Sequence, residues 1–191
     1  MVRQPSPRNP RSGPGKPSPL GNSRAKAPPR APFDTARHNH ETCIETALDR
    51  AALVCAEHGV KLTELRREVL ALVWQGHEPI GAYQILDALR RRHAGAAPPT
   101  VYRALDFLIE QGLIHRIESR NAYVGCNRPE QKHVSQFLIC DRCSASVELD
   151  DPAIAGAVLK RAAELGFAVE RQTIELRGLC PSCRGKAPPP N

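Results

Sequence analysis

Two Cys-x-x-Cys pairs, Cys140–Asp141–Arg142–Cys143 and Cys180–Pro181–Ser182–Cys183, constrain this chain more than any other feature. Two thiolates separated by two residues can grip one metal from a tight turn, and two such turns complete a tetrahedral four-sulfur zinc site. The 36 residues between Cys143 and Cys180 exceed the gap of a simple zinc ribbon. The clip must therefore enclose secondary structure, tying a C-terminal strand back onto an earlier hairpin. Disulfides and redox chemistry compete for the same residues. Seven cysteines, an odd number and partly paired, fit metal ligation in a reducing, cytoplasmic compartment better than disulfides. Thioredoxin-type chemistry wants one such motif at the start of a helix after a strand, whereas here each of two follows a strand. A zinc deaminase would need a His-x-Glu, and the chain has none. These residues point to a small metalloprotein with a structural zinc, leaving others to carry function.

The formal charge of +7 is unevenly placed. Residues 1–37 hold eight Lys/Arg against the single acid Asp34, so the remainder is balanced. That leading segment also carries nine of the 18 prolines and few large apolar residues, too little to bury a core. It reads as a disordered basic arm with a weak, non-specific attraction for nucleic acid, or as a solubilising tail. It lacks the apolar stretch of a secretory signal, and no run approaches the length needed to span a membrane.

Four helices follow. Ile44, Ala47, Leu48, Ala51, Ala52 and Cys55 repeat at three and four residues from Glu41 to about His58, stopped by Gly59. Thr63 is placed to cap a second helix running to about Trp74. Ala82 to His93 forms a third, and Pro99–Thr100 opens a fourth, which ends at Gly112. Two alternating segments, Leu113–Glu118 and Ala122–Cys126, then read as a hairpin. Short helices followed by such a hairpin make a winged helix-turn-helix, whose last helix enters the major groove. On that helix Thr100, Tyr102 and Arg103 lie where base edges and phosphates are reached; arginine can bind guanine bidentately.

The pattern predicts an α+β protein. A basic arm (1–37) precedes a winged-helix domain (38–126), and a linker (127–135) leads to a small α/β domain (136–184) and a tail (185–191). The last domain should hold strands at Gln136–Cys140 and about Ala145–Leu149, a helix from Asp151 to about Leu165, and a long strand Phe167–Leu176. An apolar edge strand of that kind needs covering, and a second copy of the chain would cover it. His115 on the first hairpin strand, Cys126 at the end of the second, His133 in the linker and Glu148 in the following hairpin each have an ordinary explanation taken singly. Together they form a two-nitrogen, one-sulfur, one-oxygen set suited to tetrahedral zinc, and they straddle the junction between the two domains.

The helix Pro99–Thr100–Val101–Tyr102–Arg103–Ala104–Leu105, the segment Leu62–Thr63 … Arg66 … Val69–Leu70 and the paired Cys-x-x-Cys together resemble the ferric uptake regulator family, and within it the zinc-sensing members. The likeness runs from about residue 41 to 184. It implies a homodimeric repressor binding palindromic double-stranded operator DNA, with two zinc ions per chain. The structural ligands implied are Cys140, Cys143, Cys180 and Cys183, and the sensing ligands His115, Cys126, His133 and Glu148. It leaves no role for catalysis, a small-molecule substrate or a membrane. The chain departs from the family in carrying Glu64–Leu65 where Pro-Gln is usual, in keeping only His133 of a His-rich cluster, and in ending on Lys186–Ala187–Pro188–Pro189–Pro190 rather than a His-rich tail. An iron-, manganese-, nickel- or peroxide-responsive regulator of the same family is the competing function, and a thiol redox enzyme or chaperone is the competitor from another class.

Overall fold

The computed structural model describes residue 33 and residues 40–76, 78–131 and 133–185. The basic arm and the tail otherwise lie outside the described residues. The first helix, α1 (His40–Glu57), turns Ala51, Val54 and Cys55 into the core. It ends at Gly59, whose φ of 67° is a left-handed conformation that glycine adopts without steric cost. Helix α2 (Glu64–Trp74) buries Val69, Leu70 and Val73, α3 (Ala82–Arg90) buries Ile85, Leu86 and Leu89, and α4 (Pro98–Glu110) starts on two prolines. Val101, Ala104, Leu105, Phe107 and Leu108 of α4 complete one apolar core shared by all four helices.

Thr63 does stand at the N-cap of α2, but its side chain makes no capping bond. Its carbonyl accepts from the Arg67 N–H at 2.9 Å instead. Helix α3 also stops earlier than periodicity predicts, at Arg90, because the chain turns there, with the N–H groups of Arg92 and His93 both bonding back to Leu89 O.

The hairpin is β2 (Ile114–Ile117) and β3 (Ala122–Gly125), joined by a 3-10 turn, Glu118–Arg120. A two-residue strand, β1 (Ile80–Gly81), pairs with the free edge of β3, so the wing has three strands in the order β1-β3-β2. Its signal is too short to stand out in the sequence.

A second sheet has the order β5-β4-β6: β4 (Ser135–Cys140) lies antiparallel to β5 (Ser146–Leu149) and parallel to β6 (Thr173–Gly178). The crossover helix α5 (Pro152–Glu164) is capped by Asp151, whose carboxylate accepts from Ala153 N at 2.9 Å. The strand expected at Phe167–Leu176 is displaced. Its first residues pair with no strand among the described residues: β4 starts at Ser135, opposite Thr173, and β6 runs on to Gly178, opposite Cys140. Phe167 is left outside the strand and exposed. A four-residue helix, α6 (Pro181–Arg184), follows. Between the two sheets Ile117 of β2 packs on Phe137 and Ile139 of β4, fixing the wing against the second half of the chain.

Candidate metal centre

The parallel pairing of β4 and β6 assembles the four cysteines. Cys140 ends β4 opposite Gly178, and the Asp141 N–H bonds to Gly178 O at 2.7 Å, so both Cys-x-x-Cys turns leave the sheet at one corner. The sulfurs of Cys140, Cys143, Cys180 and Cys183 lie within 4.8 Å of one another, with Cys143 Sγ 3.7 Å from Cys180 Sγ. Tetrahedral zinc, with bonds of about 2.3 Å to sulfur and about 2.0–2.1 Å to nitrogen or oxygen, spaces its ligand atoms about 3.3–3.8 Å apart. The Cys143–Cys180 separation of 3.7 Å meets that spacing, and the other sulfurs lie close enough to share the same ion.

Burial pushes the Cys140 thiol up, but the backbone N–H groups of Cys180, Cys143 and Arg142 outweigh it and hold the thiol down at about 6. Burial, reinforced by the other three thiols, drives Cys183 up to about 12. Four sulfurs this close resist sharing more than one negative charge, a conflict that a divalent cation resolves. Phe33 packs on this cluster.

A second set converges between the halves. His115 comes from β2, Cys126 follows β3, His133 lies in the connecting segment and Glu148 is on β5. Their ligand atoms also lie within 4.8 Å of one another. His115 Nε2 and His133 Nε2 are 3.2 Å apart, and each is 2.7 Å from Glu148 Oε1. Cys126 Sγ is 3.7 Å from His133 Nε2. These two sets are the groups suited to a metal among the described residues.

Surrounding groups orient the donors. His133 Nδ1 lies 2.7 Å from Gln131 O, a carbonyl that can only accept, so Nδ1 carries a proton and Nε2 is the nitrogen turned to the cluster, free to ligate a metal once its own proton is lost. Ser135 Oγ, 2.9 Å from His115 Nδ1, can hold that ring the same way. Asn127 N donates to Glu148 Oε2 at 3.0 Å, leaving Oε1 pointing inward.

The Cys126 thiol is pushed up to about 12, by burial first and then by the Glu148 carboxylate. Burial would raise Glu148 too, but His115, the Asn127 N–H and His133 outweigh it and hold the carboxyl at about 2. For His133, burial favours the neutral ring, yet Gln131 O and Glu148 together leave its pKa raised. Two imidazoles, a thiol and a carboxylate aimed at one point, with second partners already holding their outer atoms, make a donor set suited to zinc.

Ser135, Gln131 and Asn127 were not legible as site residues, because a lone serine or a backbone group carries no sequence signal. Gly125, next to Cys126, was missed as well. A Cβ there would lie 2.2–2.6 Å from the Trp74 indole, so the missing side chain is what lets Trp74 pack beside the site.

Of the residues expected to meet DNA, Tyr102 and Arg103 are exposed on α4 while their neighbours Val101, Ala104 and Leu105 are buried. Thr100 is half-buried one position earlier. Tyr83, on α3, is 71 % exposed. No helix among the described residues is long and apolar enough to cross a membrane.

The sequence pattern of the ferric uptake regulator family matches residues 57–177. The zinc uptake regulation protein of Escherichia coli (strain K12) is 44 % identical over 144 residues, covering 75 % of this chain and 84 % of that relative. That of Mycobacterium tuberculosis is 29 % identical over 129 residues, covering 66 % and 96 %. Among solved structures, a zinc uptake regulator complexed with zinc and DNA superposes with a TM-score of 0.71 at 44 % identity, over 74 % of this chain and 95 % of that one. Holo XcZur superposes with a TM-score of 0.69 at 42 % identity, over 74 % and 99 %. The family pattern spans both halves of the fold, and the Escherichia coli relative shares 44 % identity over 75 % of the chain, so the chain belongs to the ferric uptake regulator family.

Proposed function

We infer that this protein is a zinc-responsive transcriptional repressor of zinc-uptake genes, a homodimer that binds palindromic operators when its regulatory site is filled. The observation that carries the reading is the convergence of His115, Cys126, His133 and Glu148 from four separate segments on both sides of the junction between the sheets. The relatives named for zinc uptake regulation, one of them solved with zinc and DNA, support it.

The division of labour follows. Residues 38–126 form the DNA-binding domain, with Thr100, Tyr102 and Arg103 facing the major groove. Residues 127–135 link it to a dimerisation domain, 136–184. Exposed Ile154, Val158, Phe167 and Leu176 in that second half are an apolar surface for the second copy. The arm, 1–37, adds non-specific attraction to DNA. Each chain takes two zinc ions, one structural at Cys140, Cys143, Cys180 and Cys183, and one regulatory. Zinc in the regulatory site supplies a divalent charge that holds the wing against β5. Glu148 brings the second half to this centre, and His115 and Cys126 bring the wing, so filling it favours one angle between the domains. The coupling is reciprocal: operator DNA tightens zinc by the factor by which zinc tightens DNA, typically about 1–3 kcal/mol.

A regulator responding to iron, manganese, nickel or peroxide is the second reading, and Cys126 weighs against it, because a thiolate favours zinc over metals that prefer oxygen ligands. Nothing in this scheme calls for catalysis. The test is operator affinity across buffered free zinc, with metal content counted in parallel and genomic fragments captured by the zinc-loaded protein as the DNA. Wild type should gain affinity as a second zinc per chain binds. Cys126→Ser should stay a folded dimer, keep one zinc and gain nothing. A Cys126→Ser protein that still gains affinity over the same zinc range would place the sensor elsewhere.

A further inference from the structure

We propose that Glu175 and Arg120 form a second, metal-independent latch between the wing and the second sheet, and that this latch sets the free-zinc level at which the protein switches. The inference rests on the repressor reading above. Glu175, on β6, reaches across to the tip of the wing: its Oε1 accepts from Glu118 N at 2.6 Å and its Oε2 from Ser119 N at 3.1 Å. Arg120, the next residue of the same turn, donates from Nη2 to Asp141 Oδ1 at 3.1 Å. Asp141 lies between Cys140 and Cys143 and also receives Arg177 of β6, 2.9 Å away at Nε. The wing tip is thus held at two points, by β6 and by the four-cysteine turn.

Along β2 the contacts between the halves come in series. His115 belongs to the metal set, Ile117 packs on Phe137 and Ile139, and Glu118–Arg120 make the latch. At about 3.3 Å per residue, His115 on β2 and Glu118 just beyond its end stand roughly 10 Å apart. Two attachments on one strand oppose its rotation far better than either alone.

The contacts are unequal. Arg120, Asp141 and Arg177 have side chains 30 %, 40 % and 55 % exposed, so their ion pairs contribute little. The Glu175 carboxylate takes both of its oxygens to backbone donors, a charge-assisted pair of the stronger kind. Glu175 is therefore the main element, and as a polar residue on a strand it looks in the sequence like an ordinary solvated side chain.

Both attachments favour the same arrangement of the halves, so they act on one equilibrium. A ligand's apparent affinity scales with the fraction of protein already in the competent arrangement. The latch raises that fraction before zinc binds, and without it more zinc is needed to reach the same state.

The experiment measures Glu175→Ala, Glu175→Gln and Arg120→Ala beside wild type as full-length dimers. Filling of the second zinc is followed against a competing chelator without DNA, and operator binding is followed across buffered free zinc. Glu175→Ala should keep two zinc ions per chain and the dimer, and should shift both midpoints upward about tenfold, by one common factor. Glu175→Gln should shift them less, and Arg120→Ala about twofold. In a Cys126→Ser background, Glu175→Ala should weaken the remaining zinc-independent operator binding by that same factor. Midpoints within twofold of wild type for Glu175→Ala would overturn the proposal. If Glu175→Ala lost its four-cysteine zinc, Glu175→Gln would decide, and a wild-type midpoint there would overturn it equally. A wild type with no zinc-dependent operator binding would instead sink the repressor reading, and the chelator titration would still test the latch.

Discussion

At the scale of single residues, the set of His115, Cys126, His133 and Glu148 depends on neighbours that carry no metal chemistry. Cys126 is placed by the pairing of its own N–H with Leu113 O at 3.0 Å and by Gly125 before it, which pairs with Ile114. Trp74 occupies the space where a Gly125 side chain would sit, and the bicyclic indole cannot swing aside as a flexible side chain can. Gly125→Ala should therefore force β3 or Trp74 to move. Overpacking of this kind costs about 1–3 kcal/mol of stability. Because Cys126 is the next residue, the variant should also bind its second zinc at least about tenfold more weakly while keeping the four-cysteine zinc. Thermal unfolding and chelator competition measure the two effects. Adding Trp74→Leu should restore both by opening the space, and an unchanged zinc affinity in Gly125→Ala would show that the Trp74 contact does not position Cys126.

At the scale of elements, α4 presents two faces with different tasks. Val101, Ala104, Leu105 and Leu108 fix it in the core, while Tyr102, Arg103 and Asp106 point away. Arg103→Ala removes nothing from the core and should leave stability within about 0.5 kcal/mol. In operator binding it should cost about 1–3 kcal/mol per contact and relax preference at one position in each half-site. Affinity measured on a set of single-base operator variants separates the outcomes: equal weakening on every sequence would make Arg103 a phosphate contact, and no change would take α4 out of the groove. The helices of this half were legible because each buries one stripe at a period of 3.6 residues. Strand β6 was legible in kind but not in place, since a strand is bounded by its partner: β4 begins opposite Thr173, which no local pattern around Phe167 records.

For the whole molecule, the four-cysteine corner joins both ends of the second half. Among the described residues, the buried apolar cluster beside that sheet is the small one of Ile117, Phe137 and Ile139, with Val124 packed against it. Zinc binding at such a site is part of the folding free energy, about 10–16 kcal/mol for small zinc modules at neutral pH. Cys183→Ser should thus lose the structural zinc, unfold residues 136–184 and abolish the dimer, while α1–α4 keep the helical signal of their own core. Metal content, sedimentation and circular dichroism read these three outcomes. A Cys183→Ser protein that stays dimeric with two zinc ions per chain would remove Cys183 from the ligand set.

The sequence by itself determined what is local or written in residue type: helices from apolar spacing, the hairpin from alternation and its polar turn, and four thiols because two Cys-x-x-Cys pairs have few other uses. It also named His115, Cys126, His133 and Glu148 as suitable donors, since donor chemistry belongs to the side chain. Only the tertiary structure decided that those four meet, because their meeting depends on how β2 and β3 pack against β4 and β5 across the chain. The same holds for what orients them and what shares their load. Ser135, Gln131 O, Gly125 and Glu175 are ordinary residues whose roles arise from position, through one hydrogen bond, one missing Cβ or two backbone donors brought within reach. Such roles depend on distances between segments far apart in the chain, and a linear pattern holds no record of those distances until the fold closes them.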